Sequence, residues 1–198
     1  TCELGKEQPK VTQLQDVEIG KNYALLLSTN AGLWRYLIGD TVTFTSKAPY
    51  RIQITGRTRN YINVCGEELI EDNANQAIKT ACSETNCMVK EYTAAPCLSA
   101  DNKPVGHEWI IEFEQEPADK ELFAELLDKA LKASNSDYEA KRYKNLILQK
   151  PVINFVPNGT FMKWLKDNNK LGGQHKIPRL KNTREIIDEV FKHANNEL

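Results

Sequence analysis

Residues 61–85, "YINVCGEELIEDNANQAIKTACSET", decide the fold because the hydrophobic period changes within them. Tyr61 to Cys65 are strand formers, and Gly66 breaks the run. From Glu67 on, Leu69, Ile70, Ala74, Ala77, Ile78 and Ala81 recur at helical spacing. Glu67, Glu68, Glu71 and Asp72 crowd the start, where carboxylates suit the positive end of a helix dipole. The stretch reads as a strand followed by an amphipathic helix.

Working outward, two strands follow, "CMVKEYTAAP" (87–96) and "EWIIEFE" (108–114), joined by the turn-rich "SADNKPVG". A second helix is expected over about 118–133, with Leu122, Phe123, Leu126, Leu127, Ala130 and Leu131 as its apolar stripe. Ser136 with Glu139 three residues on reads as a capping box for another short helix, and "LILQKPVINFV" (146–156) as a closing strand. The order from 56 to 156 is β-α-β-β-α-(α)-β. It predicts an α+β fold, an α/β sandwich of split βαβ, ferredoxin-like type, with helices on one face of a mostly antiparallel sheet. Two extra C-terminal helices are expected near 160–167 and 183–194, the last docked by Ile186, Ile187, Val190 and Phe191. Toward the N terminus, "YALLLST" (23–29) and "DTVTFT" (40–45) flank a turn at "NAGLW", a short β-rich segment that ends near residue 55.

Composition limits the function classes. Twenty-six basic against 27 acidic residues give a net charge of −1, which supplies no electrostatic reason to expect nucleic acid or an anionic membrane as partner. The densest basic spot, Lys141-Arg142-Tyr143-Lys144, lies in a helical pattern and reads as a solvated face. Cys2, Cys65, Cys82, Cys87 and Cys97 form no C-x-x-C pair, so neither a zinc site nor a disulfide framework is indicated, and a reducing, cytoplasmic location is expected. No apolar run approaches the ~20 residues of a membrane span, and no signal peptide is visible. The start at Thr1 without methionine suits a chain cut from a longer one.

Three constellations carry chemistry. In "GLWRYLIGD" (32–40), Asp40 follows Gly39, and a short carboxylate beside so small a residue can accept two hydrogen bonds from a vicinal diol; the plain alternative is a turn in which Asp40 caps its own backbone. In "ITGRTRNYINVCGEELIE" (54–71), Arg57 and Arg59 flank the joint between the two parts of the chain, as phosphate or ribose ligands or as solvated surface arginines. In "LGGQHKIPRL" (171–180), Gly172 and Gly173 make a flexible approach to Lys176, and Pro178 a stiff exit. His107 and His175 have no partner at diagnostic spacing and read as structural or solvated residues.

In this order and spacing, "GLWRYLIGD", "GRTRNYINVCGEELIE" and "GGQHKIPR" resemble the later motifs of the acyl-adenylate-forming superfamily that includes firefly luciferase. The wording "LWRYLIGD" and "GQHKIPR" is most similar to the auxin-responsive acyl-acid amido synthetases, bacterial-type members in particular, over roughly residues 16–190. The resemblance implies that Asp40, with Tyr36 and Gly39, binds the adenosine ribose, that Arg57 is a further ribose contact, that Arg59 is the hinge, and that Lys176 is the catalytic lysine. Leu37 departs from the usual arginine. The resemblance also implies ATP and Mg2+ as cofactors, a carboxylic acid substrate and an amino acid acceptor. The segment 1–55 is then the tail of the N-terminal adenylation domain, and 56–198 the mobile C-terminal lid.

No Ser/Thr/Gly-rich phosphate loop or acyl pocket occurs in the sequence, so the chain is expected to work with its own N-terminal domain and to be inactive alone. Two rival readings stand beside this one. One is an acyl-CoA or aryl-acid thioester ligase; the other is a non-catalytic ligand-sensing α+β domain.

Overall fold

The computed structural model describes residues 10–58, 60–170, 172 and 176–195. The chain divides into two compact units, Thr1–Arg59 and Asn60–Leu198.

In the first unit, β1 (Asn22–Leu27), β2 (Tyr36–Lys47) and β3 (Tyr50–Arg57) form an antiparallel sheet in that order. Directly opposed residues of an antiparallel pair share a face, and Tyr23, Val42 and Ile54 make one such row across the sheet. The row is buried at Val42, where Val17 and Phe44 complete a small core with Tyr23 and Leu25 packed against it. It emerges at β3, where Ile54 is 68% and Ile52 50% exposed. The β-rich segment, in which two strands were read from the sequence, forms a three-stranded sheet. The third strand carried its own signal in the alternation of Tyr50, Ile52 and Ile54.

The second unit begins with a hairpin of two short strands, β4 (Tyr61–Ile62) and β5 (Leu69–Ile70), followed by α1 (Glu71–Thr85). Next come β6 (Met88–Leu98), β7 (Pro104–Gln115), α2 (Lys120–Ser134), α3 (Ser136–Arg142), β8 (Val152–Val156), α4 (Thr160–Asp167) and α5 (Glu185–Asn195). The sheet order is β6-β7-β8, with β6 and β7 antiparallel and β7 and β8 parallel. The α+β class is as expected, but the strand order refines it. The first strand turns at Gly66 and pairs with Leu69 and Ile70 instead of joining the larger sheet, and the helix starts at Glu71.

Period-two alternation in "WIIEF" supplies both faces of the larger sheet. Trp109, Ile111 and Phe113 pack with α1 and α2 residues Ala77, Ala81, Phe123, Leu127 and Leu131. Ile110, with Ala95 and Val156, packs instead with Phe161, Trp164, Ile187 and Val190 of α4 and α5. Helices thus cover both faces, where one covered face was expected, because both sets of alternating residues are apolar. On the second face, Glu112 is buried but answered: it accepts hydrogen bonds from the backbone N–H groups of Gly159 (2.9 Å) and Phe161 (3.0 Å) at the start of α4, and pairs with Lys90 (3.1 Å).

Two boundaries differ from the sequence reading. The cap of α3 is Asn135, whose side chain accepts from Tyr138 N–H (2.8 Å) and donates to Glu67 O (2.9 Å), one residue before the expected Ser136. Strand β8 starts only at Val152, since Pro151 has no N–H to give a ladder.

Candidate functional site

In the first unit, the residues drawn from "GLWRYLIGD" and "ITGR" meet on one strand pair. Asp40 lies directly opposite Arg57 in the β2-β3 register, and Thr41 opposite Gly56. A bulge follows, in which Thr55 is the extra residue on β3. Thr55 Oγ1 donates to Asn22 Oδ1 (2.6 Å), which ties the bulge to β1, and its oxygen lies within hydrogen-bond distance of Thr41 Oγ1 (3.0 Å). Gly39 has φ +92°, a conformation that side chains resist, and its carbonyl accepts from Thr58 N–H (2.8 Å). The left-handed residue and the bulge bend the strands on either side of Asp40, which is itself half-buried. Asp40 is therefore within β2 and not in a turn. Tyr36, at the start of β2, is 51% exposed.

The second unit holds Lys176. It is exposed, and the residues after it are fixed one by one. Ile177 is buried in the α4-α5 core and Leu180 in the α1-α2 core. Pro178 O accepts from Thr93 Oγ1 (2.8 Å). Ala94 N–H donates to Arg179 O (2.8 Å), and Lys181 N–H to Ala94 O (3.0 Å), an isolated parallel bridge on the outer side of β6. The stiff exit expected from Pro178 is thus a strap laid along a strand edge. Arg59, His175 and Gly173 lie outside the described residues.

Sequence reasoning left His107 unassigned. Its Nε2 donates to Glu67 Oε1 at 2.7 Å with both side chains fully buried, and Glu67 also accepts from Val64 N–H (2.7 Å) and Cys65 N–H (2.8 Å). Burial alone would raise the Glu67 carboxyl, but the hydrogen bond from His107 and the two backbone N–H groups together hold it down to about 2. One signal was available: His107 shares the period-two face of Trp109, Ile111 and Phe113, all of which point into the core. A second buried network joins α2 to α3. Asp128 accepts from Arg142 Nε (2.9 Å) and Nη2 (2.9 Å), Tyr138 O–H (2.8 Å) and Lys132 (2.7 Å). Arg142 of the basic cluster is thus buried, contrary to the reading of that cluster as a solvated face.

The GH3 family C-terminal domain matches residues 72–185, and the GH3 family central domain matches residues 2–57. The chain belongs to the GH3 family. Among GH3 relatives, it is 27% identical over 191 residues to the indole-3-acetic acid-amido synthetase GH3.4 of Arabidopsis thaliana, covering 88% of this chain and 31% of that protein. It is also 27% identical over 201 residues to GH3.3 of the same plant, covering 94% of this chain and 33% of that protein. The chain therefore spans about a third of the length of the curated relatives it matches. The solved GH3.15 acyl acid amido synthetase shares its fold, with a TM-score of 0.69 at 20% identity over 93% of this chain and 35% of that one.

Among the described residues, no group of three or more His, Cys, Asp or Glu is arranged to hold a metal ion. Magnesium that travels with ATP takes its ligands largely from phosphate oxygens and water. Among the described residues no helix is long and apolar enough to cross a membrane.

Proposed function

We propose that this chain is the C-terminal part of an ATP-dependent acyl-acid amido synthetase, which activates a carboxylic acid as its adenylate and passes the acyl group to the amine of an amino acid. The observation that carries the reading is the register that sets Asp40 against Arg57, two residues from separate motifs, beside a left-handed Gly39. A carboxylate can accept from the hydroxyls of a ribose and a guanidinium can donate to them, so the two residue types suit that sugar. Tyr36 is assigned to the same nucleotide site, and Arg59 to the hinge.

Lys176 is assigned the transition state of adenylation. Negative charge grows on the α-phosphoryl oxygens as the acid attacks, and a lysine ammonium about 4 Å away is worth up to about 4 kcal/mol at an effective dielectric near 20. Magnesium bound with ATP would neutralise phosphate charge. The first unit is assigned to the end of the N-terminal adenylation domain, and the second to the lid. Exposure of Ile52 and Ile54 at the open side of a small apolar sheet face supports a first unit that is covered by the preceding part of a longer polypeptide. Four free thiols, at Cys65, Cys82, Cys87 and Cys97, support a reducing, cytoplasmic setting.

Acid-dependent ATP–pyrophosphate exchange in the full-length polypeptide tests the reading, with indole-3-acetic acid the first of a panel of aryl and indolyl acids. Lys176→Ala is expected to cut exchange about a hundredfold. Exchange at the wild-type rate in that variant would remove the lysine from the chemistry. Glycine or aspartate consumed in place of coenzyme A would separate amide from thioester formation.

A further inference from the structure

We propose that Arg179 is a positioning residue that sets the register of the Lys176 strap on β6. The inference rests on the assignment of Lys176 above. The guanidinium lies in a cage built from two elements. Its Nη1 donates to Asn75 Oδ1 of α1 at 2.6 Å, and its Nε lies 3.6 Å from Glu91 of β6 and 3.9 Å from Glu71 of α1. The plane sits 5.1 Å above the Tyr92 ring, which stacks in turn on Trp109. Tyr92 O–H donates to the same Asn75 oxygen (2.8 Å), so the floor and wall of the cage are themselves locked.

The other contacts of the strap leave part of this work undone. Ile177 and Leu180 fix how deeply it sits, but apolar packing is non-directional and tolerates sliding. Two backbone hydrogen bonds at Ala94 and the Thr93 Oγ1 bond to Pro178 O pin the strap at its crossing of β6 but reach no residue of α1. The planar fork of Arg179 is directional, and it holds α1 and β6 together at the point where the strap crosses both. Lys176 stands one residue before the buried Ile177, a Cα step of about 3.8 Å, so any slip of the strap reaches the lysine almost undiminished. Glu71 of the cage also accepts from Asn60 Nδ2 (3.3 Å) within the same unit.

Without the arginine, Glu71 and Glu91 would face each other with no cation between them. Ile177 and Leu180 would remain buried, so an Arg179→Ala protein should fold with its strap loosened.

The test compares wild type, Arg179→Ala, Lys176→Ala and the double variant in the full-length polypeptide, using the acid that best supports pyrophosphate exchange. Arg179→Ala is expected to slow exchange about tenfold or more with little change in the KM for ATP, since small displacements of a catalytic group are costly. The double variant should exchange no more slowly than Lys176→Ala alone, because the arginine acts only through the lysine. Hydrogen exchange at the Ala94 and Lys181 amides should quicken about tenfold in Arg179→Ala, with protection elsewhere unchanged.

If Lys176→Ala is impaired while Arg179→Ala shows wild-type rates and amide protection, the positioning role is wrong and the catalytic reading stands. A double variant slower than Lys176→Ala would likewise overturn it, since Arg179 would then act by another route. If no acid supports exchange, or if Lys176→Ala is unimpaired, the assignment of the lysine fails first and the positioning role with it.

Discussion

Glu67 is a carboxylate with no exposed surface, held by His107 and by two backbone N–H groups of its own loop. Replacing it with alanine strands three donors at once, the His107 ring among them fully buried, and a loss of about 3 kcal/mol in urea-unfolding free energy is expected. The pH dependence has a definite sign. Its folded carboxyl lies at about 2, below the ordinary 4.5, so its contribution is complete above about pH 4.5 and fades as pH falls toward 2. Unfolding midpoints collected between about pH 6 and pH 3 should fall with acid in the wild type, and less steeply in Glu67→Ala. At this scale the sequence was only half legible. The face of His107 follows from alternation with Trp109 and Ile111, but its partner lies 40 residues away in a loop whose path no local pattern specifies.

Among the elements, α4 shows how a helix can be capped from outside its own sequence. Its N-cap is Gly159, which has no side chain to offer, and Glu112 of β7 supplies the missing acceptor to two orphan N–H groups. Glu112→Ala should therefore cost about 2 kcal/mol, with the first protection lost in hydrogen exchange across Thr160–Asp167. A glutamate interrupting "WIIEF" could be seen in the sequence, yet its purpose could not, because the helix it caps follows 47 residues later. The helices themselves were legible, since α1, α2 and α5 carry periodic apolar stripes. Strands β4 and β8 proved shorter than their apolar runs. Gly66 turns the first back on itself, and Pro151 denies the second an early N–H.

For the whole molecule, the two units differ in what they bury. The second encloses a sheet between two pairs of helices, with Trp109, Trp164, Tyr138, Phe123 and Phe161 all below 2% exposure. The first encloses Val17, Val42 and Phe44 and leaves Ile52 and Ile54 outside. A polypeptide of residues 60–198 should accordingly melt cooperatively in calorimetry, whereas residues 1–59 alone should show no cooperative transition. The class of fold was within reach of pattern reasoning, because periodicity and turn residues are local. The separation of β4-β5 from the larger sheet was not, since strand pairing depends on partners distant in sequence. The strap after Lys176 has one more consequence. Strand β6 is the outer strand of its sheet, and an open strand edge invites pairing with the strands of other molecules. The strap occupies that edge at Ala94. The segment that carries Lys176 thus also covers part of an open strand edge, which counts against self-association at that point.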